Sequence, residues 1–499
     1  MRKGDIIEGT IEELRFPDKG IFHIEGADGM AREVMVKNVL PGQRVRARIA
    51  KKRNGRIEAN LLEILDPAPY EIPAACPHFG ICGGCQYLNV TRQQELRIKE
   101  HQVRHLLASS DEDALPWYEG IFESPVTEGC RNKMELTFGD AFKDGPLTLG
   151  MHRRGSHYDV IDADECRMVD EDFRKIIRAV RDYWAGCGVP YYHRMRHEGY
   201  LRHLILRKGM KTGEILVDLV TTSQVDLLRD RERVLLQGFA DSLLSLDLCG
   251  RICGFLHTRN DSMADIVEDQ GTEVLYGRDF YEEELLGLKF TVTPFSFFQT
   301  NSAGAELLYE TARTYIAQTG SGRAEAPSGE SDAAAERTSP EPGGNEAACR
   351  HMPCRKPVIF DLYCGTGTIS LLMSPAASKV IGVEIVEEAV QAARGNAVRN
   401  GVTNCEFLAG DVLKVLDDIE EKPDLIILDP PRDGVHPKAL PKILRYGVPY
   451  ILYISCKPTS LARDLPVMRE WGYEPVRGVT INQFVLTANM ETIVLCSAT

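Results

Sequence analysis

Three short segments in the last third of this 499-residue chain carry residue types that can do chemistry together. Cys456 follows an apolar run, Asp429 opens an Asp-Pro-Pro-Arg turn, and Gly365 and Gly367 lie in a turn after another apolar run. A cysteine thiolate is a nucleophile, and a Gly-rich turn lets the backbone approach a nucleotide-type cofactor closely. The pattern predicts cofactor-dependent chemistry with a covalent cysteine intermediate.

The elements that must position these residues are short apolar strands that alternate with helical segments. This alternation predicts a parallel, doubly wound α/β sheet of the Rossmann type. In such a sheet the residues that follow each strand meet in one crevice at the carboxyl edge. The predicted strands are Val358 to Leu362, Val380 to Val383, Leu425 to Leu428 and Tyr450 to Ile454.

The cofactor is predicted from the Gly-rich turn and the acidic residues that follow the next two strands. Glu384 ends a strand, where a carboxylate can accept hydrogen bonds from ribose hydroxyls, and Asp411 lies where a third strand should end. The turn lacks the third spaced glycine of the dinucleotide fingerprint. S-adenosylmethionine is therefore favoured over NAD, which a Gly-rich turn alone would also fit.

A thiolate beside S-adenosylmethionine suits methylation of uracil C5 in RNA. That carbon is a weak nucleophile until a thiolate adds to C6 and converts the ring to an enolate. A base must afterwards remove the C5 proton so that the cysteine can leave. A stacked uridine hides both carbons, so the target base must be flipped out or presented from a loop.

The chain resembles the RNA (uracil-C5)-methyltransferase family over nearly its whole length. Phe297-Phe298-Gln299-Thr300-Asn301 is similar to the family's Phe-x-Gln-x-Asn motif. The resemblance implies that Cys456 is the nucleophile, that Glu491 is the base and that Phe297 lies near the target base. The cofactor or active-site contacts that it implies are Gln299, Tyr363, Gly365, Thr368, Glu384, Asp411 and Asp429.

The chain departs from the family near its C-terminus. Many members read Phe-Pro-His-Thr-x-His-Val-Glu where this chain reads Phe484-Val485-Leu486-Thr487-Ala488-Asn489-Met490-Glu491. Both histidines are missing while the glutamate is kept. The base assignment to Glu491 stands, and a proton relay or phosphate contact through those histidines is not expected.

A cysteine cluster precedes the catalytic region. Cys76, Cys82 and Cys85 are spaced as Cys-x5-Cys-x2-Cys, and a fourth thiolate is required to complete a tetrahedral or cubane site. Cys166 is the candidate that resembles the fourth ligand of the iron-sulfur branch of the family, and Cys130 is its competitor. The resemblance implies a [4Fe-4S] cluster, and a structural zinc ion is the alternative.

Three domains are predicted, with an insertion in the last one. Residues 1–65 read as short strands with frequent turns, typical of a small OB-like barrel, and the resemblance implies a TRAM barrel there. Residues 66–290 read as an α+β central domain that carries the cysteine cluster, and 291–499 as the methyltransferase domain. Residues 318–356 are poor in large apolar side chains and are predicted to be a disordered insertion.

Basic residues in two of these domains are candidate RNA contacts. Arg44, Arg46 and Arg48 recur with the period of a strand face, which fits either an RNA track or an ordinary solvated edge. Arg131 and Lys133 resemble a basic segment of the family's central domain and are predicted to hold phosphate.

The composition narrows the remaining function classes. A formal net charge of -14 argues against non-specific coating of nucleic acid, and we see neither a signal peptide nor an apolar run long enough for a membrane span. We expect a cytoplasmic monomer. Its partner is expected to be RNA, ribosomal 23S RNA by resemblance or else transfer RNA. The rival hypotheses are an RNA cytosine-C5 methyltransferase and a non-catalytic RNA-binding assembly factor.

Overall fold

The computed structural model describes residues 2–26, 29–53, 56–108, 115–228, 231–264, 266–319, 356–412, 414–415 and 419–499. The insertion predicted at 318–356 lies outside the described residues, except that 318 and 319 end a helix and 356 precedes a strand. Within these ranges no helix is long and apolar enough to cross a membrane.

Six strands form the first sheet: β1 (Ile6–Thr10), β2 (Glu13–Arg15), β3 (Lys19–Glu25), β4 (Ala31–Lys37), β5 (Arg44–Arg53) and β6 (Arg56–Asp66). Their order is β1-β5-β6-β4-β3-β2, and β4 pairs with β6 in parallel. Val45, Ala47 and Ile49 of β5 lie in a core that belongs to this sheet. Because side chains alternate along a strand, the intervening arginines lie on the opposite side.

The arginines of β5 are already engaged by acidic side chains of the same sheet. Arg44 and Arg46 each contact Glu8 at 2.9 Å, and Arg46 also contacts Glu63 at 2.7 Å. These pairs neutralise two of the three charges that the sequence offered as an RNA track. The solvated-edge interpretation fits Arg44 and Arg46 better.

Helix α1 (Arg92–Leu107) and strand β7 (Tyr118–Glu123) come next in the chain. The side chain of Thr91 caps α1 by accepting a hydrogen bond from the Gln94 N–H at 3.3 Å. The sequence-based boundaries assign both elements to the central domain, yet β7 pairs in parallel with the C-terminal strand Tyr473–Asn482. The segment after the cysteine cluster is thus built into the sheet that carries Cys456.

The central region is a seven-stranded sheet with two helices on one face. Its order is β10-β9-β8-β11-β12-β13-β14, with β12 and β13 parallel. Phe173, Trp184 and Phe239 from the helices are packed in its core. The elements are β8 (Lys133–Asp140), β9 (Leu147–His152), β10 (Val160–Asp162), α2 (Glu171–Cys187), β11 (Leu201–Lys208), β12 (Glu214–Thr221), α3 (Glu232–Leu244), β13 (Arg251–Arg259) and β14 (Thr272–Gly277).

The C-terminal region begins with a two-stranded hairpin, which is followed by the predicted alternation of strands and helices. Its elements are β15 (Tyr281–Leu285), β16 (Leu288–Val292), α4 (Ser302–Thr319), β17 (Val358–Leu362), α5 (Thr368–Met373), β18 (Lys379–Glu384), α6 (Glu387–Arg399), β19 (Cys405–Ala409), β20 (Leu425–Leu428), α7 (Ala439–Leu444), β21 (Tyr450–Ser455), α8 (Pro458–Glu470), β22 (Tyr473–Asn482) and β23 (Glu491–Ala498).

An eight-stranded sheet organises this region in the order β19-β18-β17-β20-β21-β23-β22-β7. Strands β17 to β21 are mutually parallel, as predicted, and β23 runs antiparallel to β21. Helices α4, α5 and α6 pack on one face, and α1, α7 and α8 pack on the other. The predicted doubly wound arrangement is therefore confirmed, with α1 as a contribution from outside the predicted domain.

Candidate active site

The turn after β17 leaves open space beside its backbone. Tyr363, Gly365 and Gly367 all have positive φ angles, of 70°, 54° and 77°. A Cβ atom added to Gly367 would lie 2.8 Å from the Cβ of Ala393 and 2.8 Å from the ring of Phe407, whereas one added to Gly365 would meet nothing within 4 Å. Gly367 is therefore required by packing, and Gly365 faces room for a ligand.

Glu384 closes one side of this space. Its carboxylate accepts hydrogen bonds from the backbone N–H groups of Gly365 at 3.1 Å, Ile385 at 2.8 Å and Val386 at 3.1 Å. Three donors fix the carboxylate at the end of β18. Burial raises the pKa of the Tyr363 hydroxyl group, and the nearby charge of Asp411 raises it further.

Cys456, Asp429 and Glu491 meet at the carboxyl edge of the sheet. Asp429 follows β20, Cys456 follows β21, and Glu491 begins β23. β23 is antiparallel to β21, and Ser455, the last paired residue of β21, lies opposite Thr492, so Cys456 and Glu491 are each the chain neighbour of one member of that pair. The charges of Glu491 and Asp429 both raise the pKa of the Cys456 thiol, so the three groups lie close together. The nucleophile and the base predicted from the sequence are thus brought together.

Burial governs the electrostatics of this group. It raises the pKa of Asp429 to about 7, with a further contribution from Asp361. It also raises the pKa of Glu491 well above the usual range, with Asp429 adding to the shift and Arg432 opposing it. Cys456 has its pKa raised to about 11 by burial and then by Glu491 and Asp429. The site disfavours a build-up of negative charge.

The Phe-x-Gln-x-Asn segment is fixed between the central and C-terminal regions. The Gln299 Oε1 accepts a hydrogen bond from the Gln483 Nε2 at 2.5 Å, and the Gln299 carbonyl accepts one from the Asn132 Nδ2 at 2.9 Å. Phe298 is buried, whereas Phe297 is 74% exposed. The two adjacent phenylalanines have different environments, and only Phe297 presents its ring to solvent.

Similar proteins were found by sequence and by fold. A family model described as tRNA (Uracil-5-)-methyltransferase matches residues 346–499. A Clostridium tetani protein described as an uncharacterized RNA methyltransferase is 44% identical over 99% of this chain and 98% of its own length. A Clostridium acetobutylicum protein with the same description is 41% identical over 99% of this chain and 98% of its own.

This chain belongs to the RNA (uracil-C5)-methyltransferase family. It is an RNA methyltransferase. The fold is also that of a solved structure, the Pyrococcus abyssi tRNA (uracil-54, C5)-methyltransferase in complex with S-adenosyl-L-homocysteine, with a TM-score of 0.70 and 22% identity. That comparison covers 98% of this chain and all of the other.

The methyltransferase site contains residues that sequence reasoning missed. Tyr309 of α4 is buried next to Asp429 and Glu491, whose charges, after burial, raise its pKa. Its helical spacing reads as ordinary core, so the sequence carries no signal for it. Arg432 lies near Cys456 and Glu491 and lowers the pKa of both groups. It is the last residue of the Asp-Pro-Pro-Arg motif, but the motif alone does not indicate its role.

The basic pair predicted to hold phosphate lies in a different setting. Arg131 donates to the Lys133 carbonyl at 3.0 Å and lines the cavity of the cysteine cluster, and the Lys133 Nζ lies 3.8 Å from Glu135. Asn132 between them is buried and holds the Gln299 segment. The phosphate contacts stay a prediction, while the structure gives this tripeptide a clear internal role.

The four predicted cluster cysteines converge on one cavity of the methyltransferase. Its volume is about 270 Å³, and its lining includes Cys76, Cys82, Cys85 and Cys166. Cys130 is buried against Met168 and Leu486 instead. In the described part of the chain, no three His, Cys, Asp or Glu side chains are grouped around a single metal-ion position.

The two glycines of the turn give a matched pair of tests. Gly367→Ala should reduce the free energy of unfolding by about 2–5 kcal/mol, because the added methyl group overlaps Ala393 and Phe407 and the residue also has a positive φ angle. Gly365→Ala should cost only about 1–2 kcal/mol from its φ angle, and the methyl group should weaken S-adenosylmethionine binding by about tenfold or more. Thermal melting and calorimetric titration measure the two effects. Wild-type affinity in Gly365→Ala would remove the space beside Gly365 from the cofactor site.

Proposed function

We propose that this enzyme methylates C5 of a uridine in RNA through a covalent adduct of Cys456, and that the RNA is 23S ribosomal RNA. The observation that carries the proposal is the juxtaposition of Cys456, Asp429 and Glu491 at the edge of the sheet. A thiol, a buried carboxyl group and a neighbouring cofactor space are the three requirements of this reaction.

The cofactor would be held between the Gly-rich turn and the ends of the neighbouring strands. Its contacts would be Gln299, Tyr363, Gly365, Thr368, Glu384, Asp411 and Asp429. The open space at Gly365 and the fixed carboxylate of Glu384 support this binding mode. When bound, S-adenosylmethionine supplies an electrophilic methyl group. The chain's own residues orient it, and the raised pKa of Asp429 limits the charge beside it.

Cys456 acts as the nucleophile on C6 of the uracil ring. The bond between its Sγ and C6 forms as the electrons of the C5–C6 double bond move into an enolate, which makes C5 nucleophilic. Burial, Glu491 and Asp429 keep the thiol protonated at rest, whereas Arg432 favours the thiolate. Attack therefore requires that the thiol first lose its proton, which the Asp429 carboxylate can accept because burial raises the pKa of Asp429 to about 7, and the carboxyl group that results no longer opposes the thiolate.

Glu491 acts as the base that completes the reaction. Glu491 is buried, with 2% of the residue exposed, and its Oε2 atom has no hydrogen-bond partner among the described residues. A buried, raised-pKa carboxylate is a stronger base than one in water, so it can remove the C5 proton after methyl transfer. The bond between Sγ and C6 then breaks by elimination and frees the enzyme.

Substitution of these two residues separates attack from release. Cys456→Ala should form no adduct and no 5-methyluridine. Glu491→Gln should lower turnover roughly 10²–10⁴-fold and leave the protein covalently attached to RNA. Since the negative charge of Glu491 raises the pKa of Cys456, its removal should also shift adduct formation to lower pH. Denaturing gels and nucleoside mass spectrometry measure both products. Exposed Cys249→Ala is the thiol control, and methylation by Cys456→Ala would reject the covalent mechanism.

The cysteine cavity is proposed to hold a [4Fe-4S] cluster on Cys76, Cys82, Cys85 and Cys166. Their shared cavity supports that ligand set, and burial together with neighbouring thiols raises the pKa of Cys85 to about 12. Four thiolates here would therefore need a cationic partner. Methyl transfer moves no net electrons, so the proposed role is structural and RNA-orienting.

Metal analysis of two cysteine variants tests the ligand set. Wild-type protein purified without oxygen should contain about four iron and four sulfide per chain. Cys166→Ser should lose most of the iron, whereas Cys130→Ser should keep it, because Cys130 lies outside the cavity lining. A content of about one zinc per chain and no iron would instead support the structural zinc site. If only Cys130→Ser loses iron, Cys130 and not Cys166 is the fourth ligand.

The N-terminal sheet is proposed to be a TRAM-type RNA-binding barrel, and Phe297 to stack on the flipped uridine. The separate core of the first sheet and the 74% exposure of Phe297 support these roles. Arg131 and Lys133 keep their proposed phosphate role. The barrel boundary at residue 65, the central domain 66–290, the monomeric state and the cytoplasmic location remain predictions.

The RNA substrate is decided by mapping 5-methyluridine in cells with and without this protein. Loss of the mark at one or two uridines of 23S ribosomal RNA is expected. Loss in the transfer RNA T-loop would keep the chemistry and change the substrate, as the description of the matching family model would favour. If every 5-methyluridine persists and a 5-methylcytidine disappears, the enzyme acts on cytosine. If no modification changes, the assembly-factor hypothesis replaces catalysis.

A further inference from the structure

The segment that precedes Glu491 is a loop at residues 483–490, here called the base loop, which joins β22 to β23. Glu491 is the first residue of β23 and pairs with Ile481, so the base loop leads directly into the strand end that carries its carboxyl group. Leu486 within this loop has a φ angle of 67°, a left-handed conformation that is uncommon for a leucine. Such a residue persists only where its surroundings hold it.

Helix α1 and the segment just before it hold Leu486 from both sides. The Leu486 N–H donates to the Glu95 Oε1 at 2.8 Å, and its carbonyl accepts from the N–H groups of Gln86 at 2.8 Å and Tyr87 at 3.1 Å. The Gln86 Oε1 also accepts from the Ala488 N–H at 2.9 Å. Both backbone groups of the strained residue are thus satisfied by one stretch of chain.

A buried ion pair anchors this arrangement. The Lys99 Nζ lies 2.9 Å from the Glu95 Oε1, and both side chains are 0% exposed. Lys99 also donates to the Asn482 Oδ1 at 2.5 Å and to the Phe484 carbonyl at 3.1 Å. A buried ion pair often stabilises a protein no more than apolar side chains of the same size would, which favours a role in positioning neighbouring groups. Removal of one partner leaves an uncompensated buried charge.

The same stretch of chain begins at the cysteine cavity. Cys85 directly precedes Gln86, and Val485 and Leu486 pack with Cys130 and Met168 in a small core against which Cys85 and Cys166 also lie. The base loop therefore rests on the cavity wall on one side and on α1 on the other. No element of the nucleotide-binding half of the sheet makes these hydrogen bonds.

We infer that Glu95 and Lys99 are positioning residues for catalysis, which hold the base loop through Leu486, Phe484 and Asn482 and thereby set Glu491 over the C5 proton. Neither side chain contacts the reacting atoms in this role. Their main effect is on the release step that Glu491 performs, which rests on the proposed function. Gln483 at the start of the loop contacts the proposed cofactor residue Gln299, and the charge of Glu491 acts on Cys456. The hydrogen bonds of Glu95 and Lys99 go instead to Asn482, Phe484 and Leu486, so decay of the adduct is the step expected to change.

The test uses Glu95→Gln, which keeps the shape of the side chain and an oxygen acceptor but removes its charge. Glu100→Gln on the same helix is the matched control, because Glu100 pairs with Arg104 at a site where both are about one-third exposed. Single-turnover experiments on the full-length enzyme measure formation and decay of the RNA adduct separately. Glu95→Gln should slow decay about tenfold, a barrier increase of about 1.4 kcal/mol, with unchanged formation and cofactor affinity.

A double variant separates positioning from general destabilisation. If Glu95 acts through Glu491, the effect of Glu95→Gln on decay should vanish in a Glu491→Gln background, since no base remains to be positioned. An equal slowing in both backgrounds, or none in the wild-type background, would overturn the inference. A merely structural role would reduce the amount of active enzyme without changing the decay rate of each adduct.

Hydrogen exchange on the protein alone keeps the inference testable if the proposed reaction fails. Glu95→Gln should accelerate amide exchange at Leu486 and Ala488, and Gln86→Ala, a milder change, should accelerate exchange at Ala488. Unchanged exchange in both variants would reject the positioning role, whatever the activity. If exchange is faster in the variants and the wild-type protein forms no 5-methyluridine, Glu95 and Gln86 do hold the base loop but the proposed function is wrong.

Discussion

The antiparallel register between β21 and β23 is the constraint on which the active site depends. In an all-parallel sheet, a base would have to come from another loop at the carboxyl edge. Here one reversed strand brings Glu491 near Cys456, because the start of β23 lies beside the end of β21, where Ser455 pairs with Thr492. The same register requires the chain to pass from β22 to β23 at this edge. The loop that makes this connection is held by residues outside the two strands.

Desolvation then gives the group its chemistry. Asp361 and Asp429 both have their pKa raised to about 7, chiefly by burial, and Glu491 is shifted in the same direction. A cluster of acidic groups in a dry site can hold protons near neutral pH, and Arg432 offsets part of the remaining charge. Asp429 and Glu491 can therefore lie near the Cys456 thiol in a protonated form, which limits the negative charge that opposes the thiolate.

The sequence predicted the parts of this protein that follow from local pattern. The strands at Val358, Val380, Leu425 and Tyr450 are present because apolar runs between turns and helices have few other stable uses. The position of Cys456 followed from the rule that strand ends meet in one crevice. The convergence of four distant cysteines came from the family resemblance, and the cavity agrees with it.

What could not be predicted depends on long-range geometry. Tyr309 has the helical spacing of a core residue, and only packing brings it next to Asp429 and Glu491. Arg44 and Arg46 carry a strand-face pattern, yet the pairing of β1 with β5 supplies the glutamate that neutralises them. Glu95 and Lys99 read as one more helical ion pair, because nothing local reveals that strand β22 ends against them.

The point at which the 320–355 segment joins the fold has a practical consequence. It leaves α4 after Thr319 and returns just before Val358, the first residue of β17, so it enters at the amino edge of the parallel strands. Cys456, Asp429 and the Gly-rich turn all lie at the carboxyl edge. A reporter domain inserted between Thr319 and Lys356 would therefore join the fold at the opposite edge of the parallel strands from the catalytic groups.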